Sequence, residues 1–122
     1  MDHLDLGAWG ERKAASLLRR KGFHILERNY RCSCGELDII ARRGRLLVFC
    51  EVKTRSSDEF APPFESVDRG KMLRLGRAAD AWLARRREPS EECRFDLVTL
   101  VKGDKGWKLE HIPDAFQPDA GD

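Results

Sequence analysis

Two carboxylates interrupt short apolar runs between Gly35 and Arg55, and this stretch constrains the fold more than any other part of the chain. Residues 46–50 are all apolar and include β-branched and aromatic side chains, which is typical of a strand covered on both faces. Asp38 lies beside one apolar run and Glu51 ends the other. Both carboxylates are therefore expected to be partly desolvated, which is costly unless a cation or hydrogen bonds compensate.

A β-hairpin would let the two acids share one cation. With residues 43–44 as a two-residue tip, Asp38, Glu51 and Lys53 fall on one face, and the two acids are diagonal neighbours about 7–8 Å apart at the backbone. In this register Glu36 lies directly across from Glu51. A three-residue tip would move Asp38 to the opposite face. The two-residue register therefore predicts a cation site, with Glu36 as a supporting group behind it.

Residues 5–21 are predicted to form a helix that ends at Gly22. Within this helix, Glu11 shares the i, i+3, i+4, i+7 spacing of a core-facing stripe with Ala14, Ala15 and Leu18. Alternatively, Glu11 lies at the edge of the stripe and pairs with Arg12 or Arg19. The acids of the hairpin favour the first interpretation, in which Glu11 joins the same site.

The remaining patterns predict a strand at 23–29, a loop at 54–64, a second helix at 66–87, and strands at 94–101 and 107–112. The loop either closes over a ligand or is a solvated connection. With the hairpin, the order of elements is α-β-β-β-α-β-β. The first three strands can form an antiparallel meander, and the fourth can lie parallel to the third. These elements predict an α/β three-layer sandwich around one mixed sheet.

Length and composition suit a single domain, residues 1–116, followed by a flexible tail, residues 117–122. The chain shows no signal peptide and no membrane-spanning run, so we expect a cytoplasmic protein that does not bind membranes. Its four cysteines are then expected to be free thiols. Zinc bound by Cys32 and Cys34 is a weak alternative because structural zinc sites prefer two to four residues between paired cysteines.

The formal net charge is only +2, so the positions of the basic residues matter more than the total. They cluster at the hairpin tip, after Lys53 and on the second helix, and the candidates for phosphate contacts are Arg42, Arg43, Arg45, Arg55, Lys71, Arg74 and Arg77. A solvated helix face is the usual alternative for such a run. In the last strands, we expect Asp96 to pair with an arginine such as Arg94, and His111 to be structural.

Five motifs extend over nearly the whole chain: Gly10-Glu11 with Ala14 and Leu18, Arg28-Asn29-Tyr30-Arg31, Gly35-Glu36-Leu37-Asp38, Glu51-Val52-Lys53-Thr54-Arg55, and Arg94-Phe95-Asp96. Together they resemble the YraN-like family of predicted endonucleases. That family belongs to the restriction-endonuclease-like superfamily, whose PD-(D/E)xK signature also occurs in archaeal Holliday-junction resolvases. Leu37 stands where this signature has proline.

The resemblance implies Mg²⁺-dependent hydrolysis of nucleic acid, with DNA and branched repair intermediates as the first candidates and Mn²⁺ as a substitute metal. Asp38, Glu51 and the Val52 carbonyl would hold the metal, and Glu11 would complete the site. Lys53 would orient the attacking water or stabilise the charge that develops on the phosphorus.

Three other interpretations stay open. The acids and Lys53 can form structural ion pairs, the protein can bind nucleic acid without cutting it, or it can bind other proteins through an edge strand or the Trp107 hairpin. Symmetric cutting would need two sites, and the sequence leaves open whether the chain forms a homodimer.

Overall fold

The computed structural model describes residues 3–56, 68–86 and 92–118. The elements are helix α1 (His3–Arg20), strands β1 (His24–Cys32), β2 (Gly35–Arg43) and β3 (Leu46–Arg55), helix α2 (Arg69–Arg86), and strands β4 (Glu92–Gly103) and β5 (Gly106–Phe116). The strands form one sheet in the order β1-β2-β3-β4-β5, in which β3 and β4 are parallel and all other neighbours are antiparallel. The predicted order of elements and the α/β three-layer sandwich are confirmed.

Each face of the sheet buries a core beneath one helix. Below α1 the core contains the predicted stripe and one side of β3, namely Ala14, Ala15, Leu18, Val48 and Cys50. Below α2 it contains the other side of β3, including Leu47 and Phe49, and the largest helix side chain, Trp82. Strand side chains alternate between faces, so a strand covered on both sides must be apolar throughout. Neither helix is long and apolar enough to span a membrane, within the part of the chain described.

The C-terminal end of α1 follows from the glycine at position 22. Gly22 has φ of 92°, in the left-handed region that glycine adopts without steric cost. The amide of Phe23 donates to the Leu18 carbonyl and that of Gly22 to the Arg19 carbonyl, both at 3.0 Å. These two bonds form a Schellman motif, which satisfies carbonyls that the helix itself leaves without donors.

The β2–β3 hairpin forms in a register two residues away from the predicted one. Arg42 pairs with Leu47 rather than with Arg45, so the tip is Gly44-Arg45 and not Arg43-Gly44. Gly44 has φ of 61°, and Arg45 does not have a positive φ, which is the pattern of a type II′ tip with glycine at its first position. A shift of two residues preserves the face of every side chain. The ladder ends at Ile39 and Cys50, one residue short of Asp38 and Glu51, and Leu37 and Ile40 both pack beneath α2, so the regular alternation of faces is interrupted at Asp38.

The expectation of four free thiols is wrong for two of the cysteines. Cys32 and Cys34 flank Ser33 in the β1–β2 turn and form a disulfide, with their Cα atoms 5.3 Å apart. The tight turn brings their Cα atoms within the ordinary range for a disulfide. The prediction of free thiols considered only the redox conditions of the compartment and not this geometry. Cys50 and Cys93 keep their thiols.

Some predicted boundaries differ from the observed ones. β1 extends through the predicted turn to Cys32, and β5 continues to Phe116. Residues 57–67, which include most of the predicted loop and the predicted start of the second helix, lie outside the described residues, as do residues 119–122 of the tail. Within the described part of that tail, Pro118 is buried and adjoins Gly76 of α2.

Candidate functional site

A cleft of about 260 Å³ lies at the end of the sheet to which β3 carries Lys53. Its walls come from α1 and the first three strands. Six residues predicted for the site line it, namely Glu11, Glu36, Asp38, Val52, Lys53 and Arg55. Glu51 is not among the lining residues, and its side chain is only 8% exposed. The structure thus gathers the acids of three separate elements around one concave site.

Asp38 occupies the junction between β2 and β3. The regular ladder ends at the pair Ile39 and Cys50, and beyond it the Val52 amide donates a hydrogen bond to Asp38 Oδ2 at 2.8 Å. Burial and the nearby charge of Glu51 raise the pKa of Asp38 to about 7. Carboxyl groups with such strongly raised pKa values inside clefts are typical of functional sites.

Two lysines hold the carboxylate of Glu51. Lys71 Nζ of α2 lies 2.9 Å from Glu51 Oε1, and Lys53 Nζ lies 3.5 Å from the same oxygen. Burial lowers the pKa of Lys53, and the hydrogen bond with Lys71 lowers it further. Burial also opposes the charge of Lys71, but its hydrogen bond to Glu51 raises the pKa overall. Lys71, which the sequence assigned to phosphate contacts, is therefore an ion-pair partner of the central acid.

Glu11 stands on the α1 wall of the cleft. With its amide nitrogen facing the carboxylate, Asn29 of β1 donates to Glu11 Oε1 at 2.7 Å and to Oε2 at 3.2 Å. Burial raises the pKa of Glu11, against the lowering effects of Arg28 and Asn29. The sequence did not predict Asn29 as a residue of the site. Asparagine is depleted in strands, so its place within a strand pattern could have indicated a special role. Asn29 adopts a φ of 55°, which asparagine tolerates better than most residues.

Gly10 lets α1 approach β3 closely enough to place Glu11. A Cβ atom at this position would collide with Thr54 Oγ1 and lie 3.3 Å from Thr54 Cβ. We expect Gly10→Ala to destabilise the fold by about 1–3 kcal/mol, the usual cost of overpacking, and Thr54→Ala to recover part of the loss. Thermal unfolding of both variants and the double variant measures this.

Gly7→Ala is the matched control for this substitution. Gly7 lies on the same helix, and a Cβ atom there would meet nothing within 4 Å. Alanine at this exposed position should stabilise the helix by about 0.5–1 kcal/mol. A Gly10→Ala protein as stable as Gly7→Ala would contradict the role assigned to the close contact.

The donor set fits a hard cation held by two carboxylates. Within residues 3–56, 68–86 and 92–118, no three His, Cys, Asp or Glu side chains are close enough together to hold a metal ion jointly. The structure therefore does not bring Glu11 into one ligand cluster with Asp38 and Glu51, nor a zinc set around Cys32. Magnesium usually takes one or two carboxylates and keeps several waters. Asp38 and Glu51 meet that requirement, because they lie close enough for the charge of Glu51 to raise the pKa of Asp38.

The arginines near the hairpin tip are remote from the cleft. Glu51 lies five residues along β3 from Leu46, the first residue after the tip, and is therefore roughly 17 Å from it at about 3.3 Å per residue. Arg43 donates to the Lys21 carbonyl at 3.1 Å, and its guanidinium lies 4.4 Å from the centroid of the Phe23 ring. Arg42 and Arg45 belong to the same end of the hairpin. Only Arg55 among the predicted arginines lines the cleft.

A second cavity of about 430 Å³ adjoins the cleft and shares Arg31 and Glu36 with it. These two residues form an exposed ion pair at 3.4 Å. The predicted register had placed Glu36 directly across from Glu51, and the observed register does not. Lys71 and Arg74 of α2 line this second cavity, whereas Arg77 is exposed further along the helix.

Asp96 is buried outside the cleft, where a separate hydrogen-bond network surrounds its carboxylate. Arg94 donates to both carboxylate oxygens at 2.8 and 2.9 Å, His111 Nε2 lies 2.7 Å from Oδ2, and the Asp114 amide donates to Oδ1 at 3.0 Å. Burial alone would raise the pKa of Asp96, but the hydrogen bonds from His111 and Arg94 hold it at about 2. The predicted pairing of Asp96 with Arg94 is confirmed.

Comparison with known proteins places the chain in a family. The family described as "Uncharacterised protein family UPF0102" matches residues 10–100, a range that includes all the acids discussed above. Similar proteins, each called UPF0102 protein, occur in Geotalea daltonii (45% identical over 116 residues, 94% of this chain and 91% of the relative) and Geobacter metallireducens (43% over 112 residues, 92% of each). A relative from Moorella thermoacetica is 52% identical over 94 residues, which are 77% of this chain and 78% of that protein. The chain therefore belongs to the UPF0102 family of YraN-like proteins.

Proposed function

We propose that this protein is a metal-dependent nuclease that hydrolyses phosphodiester bonds, with Asp38 and Glu51 as ligands of Mg²⁺ or Mn²⁺. The observation that supports the proposal is the pair of neighbouring carboxylates, half-buried Asp38 in the cleft and buried Glu51 beside it, of which Asp38 has a pKa of about 7. Two adjacent buried acids destabilise a fold unless a cation compensates their charge. The resemblance to restriction-endonuclease-like proteins supports the same interpretation.

The chemistry of phosphodiester hydrolysis suits these groups. A bound Mg²⁺ would polarise the phosphoryl oxygen and supply an activated water. Lys53 is placed beside Glu51, and its lowered pKa makes the neutral amine more accessible for orienting water or moving its proton. In its charged form, the same amine would stabilise negative charge at the phosphorus. Arg55 at the cleft would contact a flanking phosphate. Glu11, on the α1 wall of the cleft, would complete the metal site, as the resemblance implies.

Lys71 gives this site a second cationic partner within the protein. It lies 2.9 Å from Glu51 Oε1, closer than Lys53, and forms an ion pair with that carboxylate without any metal. Release of Glu51 by Lys71 would accompany metal binding. DNA, including branched intermediates, is the proposed substrate, and a cytoplasmic location and a homodimer for symmetric cutting are parts of the same proposal.

The direct test is cleavage of labelled single-stranded, duplex and branched DNA, and of RNA, with Mg²⁺, Mn²⁺ or EDTA. Glu51→Gln keeps the shape of the side chain but removes its charge. We expect it to reduce cleavage more than the roughly 10–100-fold that is usual when a residue supporting a metal ligand is lost. Glu110→Gln, at an exposed position of β5, is the matched control. Cleavage that persists in Glu51→Gln would show that another site or a contaminant does the cutting.

A second candidate function is nucleic-acid binding without cleavage. It is favoured by the fact that Lys53 and Lys71 already neutralise Glu51. In that case, the logarithm of the affinity should fall linearly with the logarithm of salt concentration, because phosphate contacts release counterions. No divalent metal should then produce cleavage, and Glu51→Gln should bind as the unmodified protein does.

A further inference from the structure

Two half-buried tryptophans form an aromatic pair outside the cleft. Trp9 of α1 and Trp107 of β5 have ring centroids 4.9 Å apart, with their planes at 55°. Both pack at the margin of the core beneath α1 and remain partly exposed. Lys13 Nζ lies 5.9 Å from the centroid of the Trp9 ring. Core packing accounts for the buried part of each indole and leaves the exposed part unexplained.

The pair lies at the same end of the sheet as the cleft. Arg55, which lines the cleft, pairs with Val101 of β4, and Val101 pairs with Lys108 of β5. Since neighbouring strands lie about 4.8 Å apart, the backbones of Arg55 and Lys108 are roughly 10 Å apart. Trp107 is the next residue, across from Lys102. The cleft and the aromatic pair therefore lie at the same end of the sheet.

Helix α1 contributes residues both to the cleft and to the aromatic pair. Leu6, Gly7 and Glu11 line the cleft, and Trp9 belongs to the same turns of the helix. Because Trp9 is about 200° around the helix axis from Glu11, a flexible chain that leaves the cleft reaches the indoles by crossing over these turns of α1.

The charge around the indoles is mainly positive. Four exposed lysines belong to this part of the molecule, namely Lys13, Lys102, Lys105 and Lys108. Asp104 is the acid at the tip of the β4–β5 hairpin. A shallow cavity of about 520 Å³ on this hairpin is lined by Trp107, Lys105 and Lys108. Lysine is depleted at protein–protein interfaces, whereas aromatic rings interleaved with basic side chains are typical of surfaces for single-stranded nucleic acid.

We infer that the Trp9–Trp107 surface, made of these two tryptophans with Lys13, Lys102 and Lys105, binds an unpaired segment of the nucleic acid that enters the cleft. Bases stack on the exposed indole, and the lysines contact the phosphates. This inference rests on the proposed function and narrows its substrate to nucleic acid with a single-stranded part. Paired bases in a duplex present no free face to the indoles, so discrimination between the two forms follows.

The test is fluorescence anisotropy with a labelled oligothymidine and a duplex of equal length, both in EDTA so that no metal-dependent cleavage occurs. Trp107→Leu is expected to weaken binding of the single strand by roughly 5- to 150-fold, the effect of losing one stacked base. Binding of the duplex should change by less than about twofold. Trp107→Phe retains an aromatic face and should keep most of the single-strand affinity.

Lys102→Gln provides a second measurement that does not depend on core packing. This exposed lysine lies directly across from Trp107 and should contribute one phosphate contact, so its loss should reduce the slope of log affinity against log salt by about 0.7 for the single strand. If Trp107→Leu fails to fold, quenching of tryptophan fluorescence by the oligothymidine in the unmodified protein and the Lys102→Gln slope decide the matter.

The possible outcomes separate this inference from the proposed function. Equal single-strand affinity in folded Trp107→Leu and the unmodified protein would overturn the inference, as would equal losses for strand and duplex. If metal-dependent cleavage persists in either case, the nuclease proposal stands without this surface. An unmodified protein that neither binds nor cuts any nucleic acid would remove both proposals.

Discussion

Replacing Asp38 by asparagine is expected to reduce metal-dependent cleavage by more than about a hundredfold and, at pH 8, to make the folded protein more stable. Loss of a direct metal ligand should exceed the 10–100-fold effect of losing a supporting residue. Asparagine keeps an oxygen that can accept the hydrogen bond from the Val52 amide, so the junction of β2 and β3 is preserved. It removes a buried charge beside Glu51.

The sign of the stability change follows from the raised pKa. The pKa of Asp38 is about 7 in the folded protein, against an ordinary value of 3.8. Above pH 7 the folded protein must hold an ionised carboxylate in an unfavourable place, whereas below about pH 4 the group is neutral whether the chain is folded or not. Asp38→Asn should therefore raise the free energy of unfolding by about 1 kcal/mol or more at pH 8, and the gain should fade toward pH 4.

Denaturant unfolding at several pH values and Mn²⁺ titration calorimetry measure these effects together. Asp80→Asn is the matched control, because Asp80 is an exposed acid of α2. It should change neither cleavage nor the pH dependence. An Asp38→Asn protein that is less stable than the unmodified one at pH 8, or that binds Mn²⁺ equally well, would show that Asp38 has a structural role and not the role of a metal ligand.

Replacing Asp96 by alanine should produce the largest loss of stability. Asp96 is fully buried and accepts hydrogen bonds from Arg94, His111 and the Asp114 amide. Removing one partner from a buried ion pair costs about 3–5 kcal/mol, because the remaining charge stays buried without compensation. For a domain of this size, the midpoint of thermal unfolding should fall by more than about 10 °C.

Acid titration checks the same network. Because the pKa of Asp96 is lowered to about 2 in the folded protein, its contribution is complete above its unfolded pKa near 3.8 and is lost as the pH falls toward 2. The free energy of unfolding of the unmodified protein should decline across that interval, and Asp96→Ala should lack this part of the decline. Glu110→Ala, at an exposed position of β5, should retain it. Identical acid profiles for the unmodified and Asp96→Ala proteins would contradict the assignment.

The acids of the cleft could be predicted because they violate local patterns. A carboxylate beside a strand that is apolar on both faces, or within the buried stripe of a helix, needs compensation wherever the strand or helix packs. The misplaced hairpin tip did not separate Asp38 from Glu51, because the two acids still lie close enough for the charge of Glu51 to raise the pKa of Asp38. Both candidate tips contained Gly44 beside an arginine, and sequence alone did not say which turn position the glycine occupies.

Contacts between distant elements could not be predicted in the same way. Lys71 reaches Glu51 from α2, and nothing near Lys71 in the sequence distinguishes it from the other basic residues of that helix. The partnership of Asn29 with Glu11 depends on how β1 passes beneath α1. The disulfide between Cys32 and Cys34 depends on the shape of the two-residue turn between β1 and β2. Each of these contacts is decided by tertiary packing rather than by local propensity.

The antiparallel hairpin also has a consequence for the order in which the chain folds. Asp38 and the Val52 amide that binds it are only 14 positions apart, so the loop between them closes at small entropic cost. The parallel pairing of β3 with β4, by contrast, joins Leu46 to Glu92 and must wait for a much longer loop to close. The nascent meander can therefore bring its two carboxylates together early, while the strands that complete the sheet and the Asp96 network are still unformed.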